Sequence, residues 1–218
     1  MAERILVAGL GVFGRAVAAK LTELGHSVCG VDQDQELVDR AQDDITVVLR
    51  ANLADEDAVR EIVGAKHYDA AVLAIGNDLE SSLQAALHLR EAGIPQIVAR
   101  AVNATHEKLL KAVGVDRVIY PEKEAGEQLA LQIGRKRVLR TIPLAGKAEI
   151  VEATAPERVA GKTLAELSLR GRYGITVVTI ERGNRVIAPV GPETGIEVGD
   201  KLMLLGLPKD IQDFLDIA

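Results

Sequence analysis

The chain has 218 residues, with 26 Lys and Arg against 32 Asp and Glu, a formal net charge of -6, one cysteine and no tryptophan. An acidic chain with two Phe and three Tyr offers neither the basic face nor the stacking platforms of a general nucleic-acid binder. A single Cys29 excludes an internal disulfide, and no run of 18 apolar residues marks a membrane span. The start, Met1-Ala2-Glu3-Arg4, runs directly into apolar residues, which argues against a signal peptide. A cytoplasmic location is the default expectation.

Ile5–Ala8 reads as a buried strand. It enters GLGVFG, with Gly9, Gly11 and Gly14, and then a helix over 13–24. A second strand, Val28–Val31, ends at Asp32, eighteen residues after Gly14. Strand, glycine-rich turn, helix, strand and acid together are the context of a dinucleotide-binding unit. Gly9 permits the tight turn, Gly11 lets backbone approach a phosphate, and Gly14 lets helix and strand pack closely. The phosphate would sit on the first N–H groups of the helix, and Asp32 would accept hydrogen bonds from ribose hydroxyls. An acid there also disfavours a 2′-phosphate.

Further strands are expected at 46–49, 70–75, 96–99 and 117–120, and helices at 36–41, 56–63, 79–91 and 105–113. Six short apolar strands separated by helices predict an α/β, Rossmann-like parallel sheet covered on both faces. Cys29 then reads as a small buried hydrophobe. After Pro121 a helix is expected from Glu122 to about Arg140, ending in a basic cluster (Arg135, Lys136, Arg137, Arg140) that reads as a solvated helix end. Its apolar centre, 129–133, lacks an obvious place on a finished sheet, which points to a partner subunit.

The remainder reads as a small α+β domain. Strands are expected at 148–154, 175–181, 186–189 and 201–206, one or two helical turns at 163–169, and a closing helix at 208–216. The expected division is 1–122 for the nucleotide-binding domain, 123–143 for a helical crossover and 144–218 for the second domain.

Several segments, in this order, resemble one family. They are GLGVFG at 9–14, VDQD at 31–34, AIGND at 74–78, VARAVN at 98–103 and YPEKEAG at 120–126. LRGRYGITVVTIERG at 169–183, VGDKLMLLG at 198–206 and PKDIQDF at 208–214 follow in the second domain. The chain resembles the RCK, or TrkA-type, potassium transport regulators, and within them the single-unit KtrA/KtrC-like gating subunits. The resemblance implies a TrkA-N-like domain followed by a TrkA-C-like domain. It also implies a regulatory subunit without catalysis, which gates a KtrB-like or TrkH-like integral-membrane potassium transporter subunit. Homodimers would build an octameric ring peripheral to the inner face of the plasma membrane, with no insertion of its own and no nucleic-acid partner. ATP and ADP, or NAD(H), would compete for the cleft.

The resemblance also distributes roles. Gly9, Gly11 and Gly14 would meet the phosphates and Asp32 and Asp34 the ribose, with Val12, Phe13 and Gln33 between them in the cofactor site. Asn52 and Leu53 would lie near the adenine, with Ala74, Ile75 and Gly76 lining the adenosine pocket. Arg100 would reach toward phosphates, and Glu122 would help hold Mg²⁺ or another cation near them. Relatives can carry arginine at the position of Val12, which puts the ATP/ADP/NAD preference in question. Arg170, Arg172, Tyr173 and Ile175 match a region that binds cyclic di-AMP in some relatives.

Ordinary structural roles stand beside these. Asn52 and Asp78 are candidate helix caps, and Glu122 after Pro121 suits a helix start. His26, His67, His88 and His106 share no metal spacing and read as surface or loop residues. No nucleophile elbow or evident general base is present. A small NAD-dependent oxidoreductase and an RCK-type regulator of a cation/proton antiporter or other ion channel are the alternatives.

Overall fold

The computed structural model describes residues 2–76 and 78–216. Asn77, within the AIGND segment, lies outside the described residues. Chain contacts divide the molecule into two units, Met1–Glu122 and Lys123–Ala218.

In the first unit, β1 (Arg4–Ala8), β2 (Ser27–Asp32), β3 (Val47–Arg50), β4 (Ala70–Leu73), β5 (Gln96–Arg100) and β6 (Arg117–Ile119) form one sheet. The strand order is β3-β2-β1-β4-β5-β6, and every neighbouring pair is parallel. Helices α1 (Val12–Glu23), α2 (Gln35–Ala41), α3 (Glu56–Gly64), α4 (Leu79–Glu91) and α5 (Ala104–Ala112) supply the crossovers. Ile5 and Val7 pack into one core with Leu10, Ala18, Val28, Ala41 and Ile45. Leu6 and Ala8 pack into the opposite core with Leu73, Ala85, Leu89 and Ile97. Burial on both faces explains why these strands are continuous apolar runs rather than alternating ones. Strand order reverses between β1 and β4, so their carboxyl ends open a crevice at the switch point.

The second unit is an antiparallel sheet ordered β10-β9-β11-β8-β7. Its strands are β7 (Val138–Pro143), β8 (Glu149–Thr154), β9 (Thr176–Arg182), β10 (Arg185–Ile187) and β11 (Lys201–Gly206). Helix α6 (Pro121–Gly134) leads into it, two short helices α7 (Leu164–Leu167) and α8 (Leu169–Tyr173) precede β9, and α9 (Pro208–Leu215) follows β11. Val151, Ala153, Val177, Ile180, Leu202 and Leu204 face a core closed by Ile211, Phe214 and Leu215 of α9. Thr163 and Glu166 start α7 with a reciprocal capping box.

Three expectations need correction. The helix after Pro121 does not reach Arg140: it stops at Gly134, and Arg137 turns the chain with φ +67°. Residues 138–143, expected within the helical crossover, instead pair with β8 as the outer strand of the second sheet, with Val138 and Thr141 turned inward. Helical and strand spacing are both compatible with so short an apolar pattern, and the paired backbone of β8 decides it. The basic cluster is not simply solvated either. Arg135 Nη1 pairs with the buried carboxylate of Glu149 at 2.6 Å, and Arg137 Nη1 donates to the Leu215 carbonyl at 2.7 Å.

Two buried side chains divide the remaining expectations. Cys29 is buried, as expected, and burial pushes its thiol pKa up. His106, expected at the surface, is fully buried, and neither ring nitrogen has a hydrogen-bond partner among the described residues. Desolvation pushes its pKa down.

Candidate functional site: the crevice at the ends of β1, β2 and β4

The β1–α1 turn is built around absent Cβ atoms. Gly9 has φ +92°, and a Cβ there would lie 2.9 Å from the Ala74 carbonyl carbon at the end of β4. A Cβ on Gly14 would lie 1.8 Å from the Gly9 carbonyl oxygen, which only glycine avoids. A Cβ on Gly11 would meet nothing within 4 Å. The first two glycines therefore serve packing, and the third leaves open space at the helix start.

The starts of α1 to α5 differ in one respect. Asp34, Asp55, Asp78 and Asn103 each accept a main-chain N–H at the start of α2, α3, α4 and α5. Helix α1 begins at Gly11 with no side-chain cap. Its first N–H groups lack the internal acceptor that the other four helices have, and they carry the positive end of the helix dipole. A bound anion would satisfy both.

Asp32 closes the other side of the turn. Its Oδ2 accepts the Leu10 N–H at 2.7 Å and its Oδ1 accepts the Asp34 N–H at 2.9 Å. Both oxygens are thus fixed by backbone, and each keeps lone-pair capacity for a ligand hydroxyl.

Around these groups lies a crevice of about 290 Å³. It brings together Gly9, Gly11, Asp32, Gln33, Asp34, Asn52, Leu53, Ala74, Ile75, Gly76 and Arg100 from the expected set. Its size sits near the lower end for small-molecule sites and suits one nucleoside better than a whole dinucleotide. Asp34 and Asp78 each do two jobs, capping a helix and lining the crevice. Asn52 Oδ1 accepts the Ala54 N–H at 3.0 Å within a tight turn, while Asp55 caps α3.

Four expected residues do not line the crevice. Val12 is 95% exposed and borders a neighbouring groove with Arg15, Leu37 and Arg40. Phe13 is half-buried and Gly14 buried in the first turn of α1. Glu122 stands beside the crevice, where its Oε1 accepts a hydrogen bond from Arg100 Nη2. The Glu122 carboxyl is held below its usual range, first by its own main-chain N–H and then by Arg100.

Leu37 and Ser81 also line the crevice and were not anticipated. Both lie three residues after a capping aspartate, Asp34 and Asp78.

In the second unit, a separate cavity of about 390 Å³ is lined by Leu164, Leu169, Arg170, Ile175, Thr176, Val190 and Pro192, among others. Arg170 Nη2 lies 3.4 Å from Thr176 Oγ1, and Ile175 is fully buried. Arg172 is exposed and outside the lining. Tyr173 is engaged edge-on with Phe214, ring centroids 5.8 Å apart. Of the four residues expected here, the cavity therefore takes Arg170 and Ile175.

Residues 5–121 match the TrkA-N domain family and residues 149–218 the TrkA-C domain family. The chain is 32% identical to Ktr system potassium uptake protein A of Bacillus subtilis (strain 168), covering 97% of this chain and 95% of that one. It is 33% identical to Ktr system potassium uptake protein C of the same organism, over 98% of this chain and 96% of that one. Among solved structures, the GsuK channel bound to NAD superposes with a TM-score of 0.67 at 17% identity. That match covers 99% of this chain but 39% of the channel, so it shows the shared fold. With a TrkA-N domain over β1 to β6, a TrkA-C domain over the antiparallel sheet and full-length Ktr relatives, the chain belongs to the TrkA-type family of potassium transport regulators.

Proposed function

We propose that this protein is a regulatory subunit that binds an adenine nucleotide in the crevice of its first unit and gates a membrane potassium transporter. The observation that carries the nucleotide part is the pairing of an uncapped α1 start at Gly11 with a backbone-fixed Asp32 in one crevice. One is built for a phosphate and the other for ribose hydroxyls. The potassium transporter rests on the Ktr relatives, which match over nearly their whole length.

The residues supply positioning and charge rather than chemistry, so the reading is a sensor and not an enzyme. ATP and ADP are the expected ligands, with NAD(H) the alternative. Among the described residues no three His, Cys, Asp or Glu side chains gather to hold a metal. A Mg²⁺ ion at Glu122 would therefore take its other oxygen ligands from the nucleotide phosphates.

No described helix is long and apolar enough to cross a membrane. Attachment to a KtrB-like or TrkH-like subunit would hold the protein at the cytoplasmic face. Homodimers, and an octameric ring of them, are the assembly this reading requires. The cavity beside Arg170 favours a second ligand in the C-terminal unit, for which cyclic di-AMP is the expectation.

Calorimetry with ATP, ADP, NADH and NADPH tests the first part. Binding of an adenine nucleotide without rapid hydrolysis is expected; binding of none, or brisk turnover, overturns it. Co-purification with a potassium-transporter membrane subunit tests the second part, and capture of an antiporter instead would favour a regulator of that kind.

A further inference from the structure

Arg100 is the last residue of β5, and it lines the crevice. Its guanidinium lies against the Cα of Gly76: a Cβ at that position would fall 2.4 Å from Nη1 and 2.9 Å from Cζ. Any other residue at 76 would push the arginine aside. Gly76 leaves the room that seats it, and among the described residues Arg100 is the one cation lining a crevice that also presents Asp32, Asp34 and Asp78.

That cation is already engaged. Arg100 Nη2 donates to Glu122 Oε1, and Arg100 Nε is buried with no hydrogen-bond partner among the described residues. Glu122 is the second residue of α6, immediately after Pro121, so the pair ties the crevice to the first turn of the helix that leads into the next unit. The carboxylate side of the pair is more than half exposed, while the guanidinium is mostly covered. Arg100 is therefore the covered partner of the pair, and Glu122 the one open to solvent.

We infer that Arg100 is contested: a phosphate-bearing ligand in the crevice competes with Glu122 for the guanidinium, which makes the Arg100–Glu122 pair a latch that nucleotide binding opens. This rests on the nucleotide reading above and adds its regulation. A ligand that competes with an internal ion pair binds less tightly by the cost of that pair, and removing the internal competitor returns that affinity. The latch acts only on ligands that carry phosphate. A cation that occupies Glu122 would open the same latch from the other side, because it removes the carboxylate from Arg100. Phosphate and cation would then favour each other's binding.

The test is calorimetric titration of adenosine and of ADP, in EDTA, into the full-length protein, its Glu122→Gln variant, Arg100→Gln, and the double variant. Circular dichroism checks that each variant is folded. Glu122→Gln is expected to tighten ADP roughly two- to fivefold, the size of a partly exposed ion pair, and to leave adenosine unchanged. In the Arg100→Gln background the same change is expected to do nothing. A purely structural role for Glu122 would weaken both ligands or neither, and either result overturns the latch. Tightening that survives Arg100→Gln overturns it too. Wild type that binds ADP with no gain in Glu122→Gln refutes the latch alone; wild type that binds neither ADP nor adenosine refutes the nucleotide reading and the latch with it.

Discussion

The Asp32 carboxylate accepts the Leu10 N–H at 2.7 Å, so the acid at the end of β2 is fastened to the backbone of the turn that follows β1. Two features that are 22 residues apart in sequence thus form one rigid corner, with Oδ1 fixed as well by the Asp34 N–H. A ligand ribose would meet an acceptor that needs no reorganisation.

Removing that corner should be felt in affinity. Asp32→Ala is expected to weaken adenosine and ADP alike by about 1–3 kcal/mol, the cost of unmade hydrogen bonds to a charged group. Asp32→Asn, which keeps one acceptor oxygen without the charge, should fall between. Equal affinities in wild type and Asp32→Ala, measured by calorimetry, would remove Asp32 from the ribose site.

The glycines separate packing from binding. A Cβ on Gly14 would lie 1.8 Å from the Gly9 carbonyl oxygen, so Gly14→Ala should destabilise the protein by about 1–3 kcal/mol or more through overpacking. Gly11→Ala meets open space and should cost less than about 1 kcal/mol, the scale of a poorer N-cap. It should nonetheless weaken ADP more than adenosine, because the methyl group enters the phosphate's place. Urea unfolding and calorimetry on the two variants check both halves; a Gly11→Ala variant with unchanged ADP affinity would contradict the phosphate assignment.

A buried ion pair in the second unit sets a pH dependence. Asp200 is 1% exposed and accepts hydrogen bonds from Arg182 Nε at 2.9 Å and Nη2 at 2.8 Å, and from the Glu197 N–H at 2.8 Å. Those bonds, Arg182 first, hold its carboxyl below the usual range. A depressed folded value contributes stability above the unfolded value of about 3.9. That stability is lost as pH falls through the lower folded value. Asp200→Asn should therefore lower stability at pH 7 by roughly 1–3 kcal/mol, and the gap between wild type and variant should close as the pH drops below about 4. Thermal melts of the full chain at pH 7 and at pH 3 read this directly, and a gap that widens in acid would reverse the assignment.

Helix α6 offers the expected contact for a second copy. Leu129 is 55% exposed and Ile133 78%, one turn apart on the same side. Light scattering should find dimers or larger species, and Ile133→Asp should shift them toward monomer. A wild-type monomer at micromolar concentration would refute the interface.

The corner formed by the glycine-rich turn and Asp32 was legible because its signals are local and steric. GLGVFG and the acid at 32 carry their geometry in the residue types, and each apolar strand announces burial on two faces. What stayed hidden depends on partners distant in sequence. Nothing near His106 in the sequence says that its ring is buried. The stretch 138–143 became a strand because β8 offers a backbone ladder, not because its own pattern differs from a helix end. The Arg100–Glu122 pair spans 22 residues, and each member alone suggested a ligand rather than the other.

The last prediction concerns gating. ATP and ADP differ by one phosphate, so they can shift the protein between two states only if that phosphate has different contacts in each. The groups available are the open start of α1 at Gly11, Arg100, and Glu122 through its hold on Arg100. Val12, at the first position of α1, is exposed and turned to the groove beside Arg15 and Arg40 rather than into the crevice. It adds no charge that could read a terminal phosphate. Potassium flux through the partner transporter, reconstituted with this protein, should be higher with ATP than with ADP, by a modest margin. Val12→Arg should widen that margin by supplying a cation at the helix start. Equal flux with ATP, ADP and no nucleotide would defeat nucleotide gating altogether. A margin that exists but does not respond to Val12→Arg would leave gating to Arg100 and Glu122, and there Glu122→Gln should narrow the difference between nucleotide and no nucleotide.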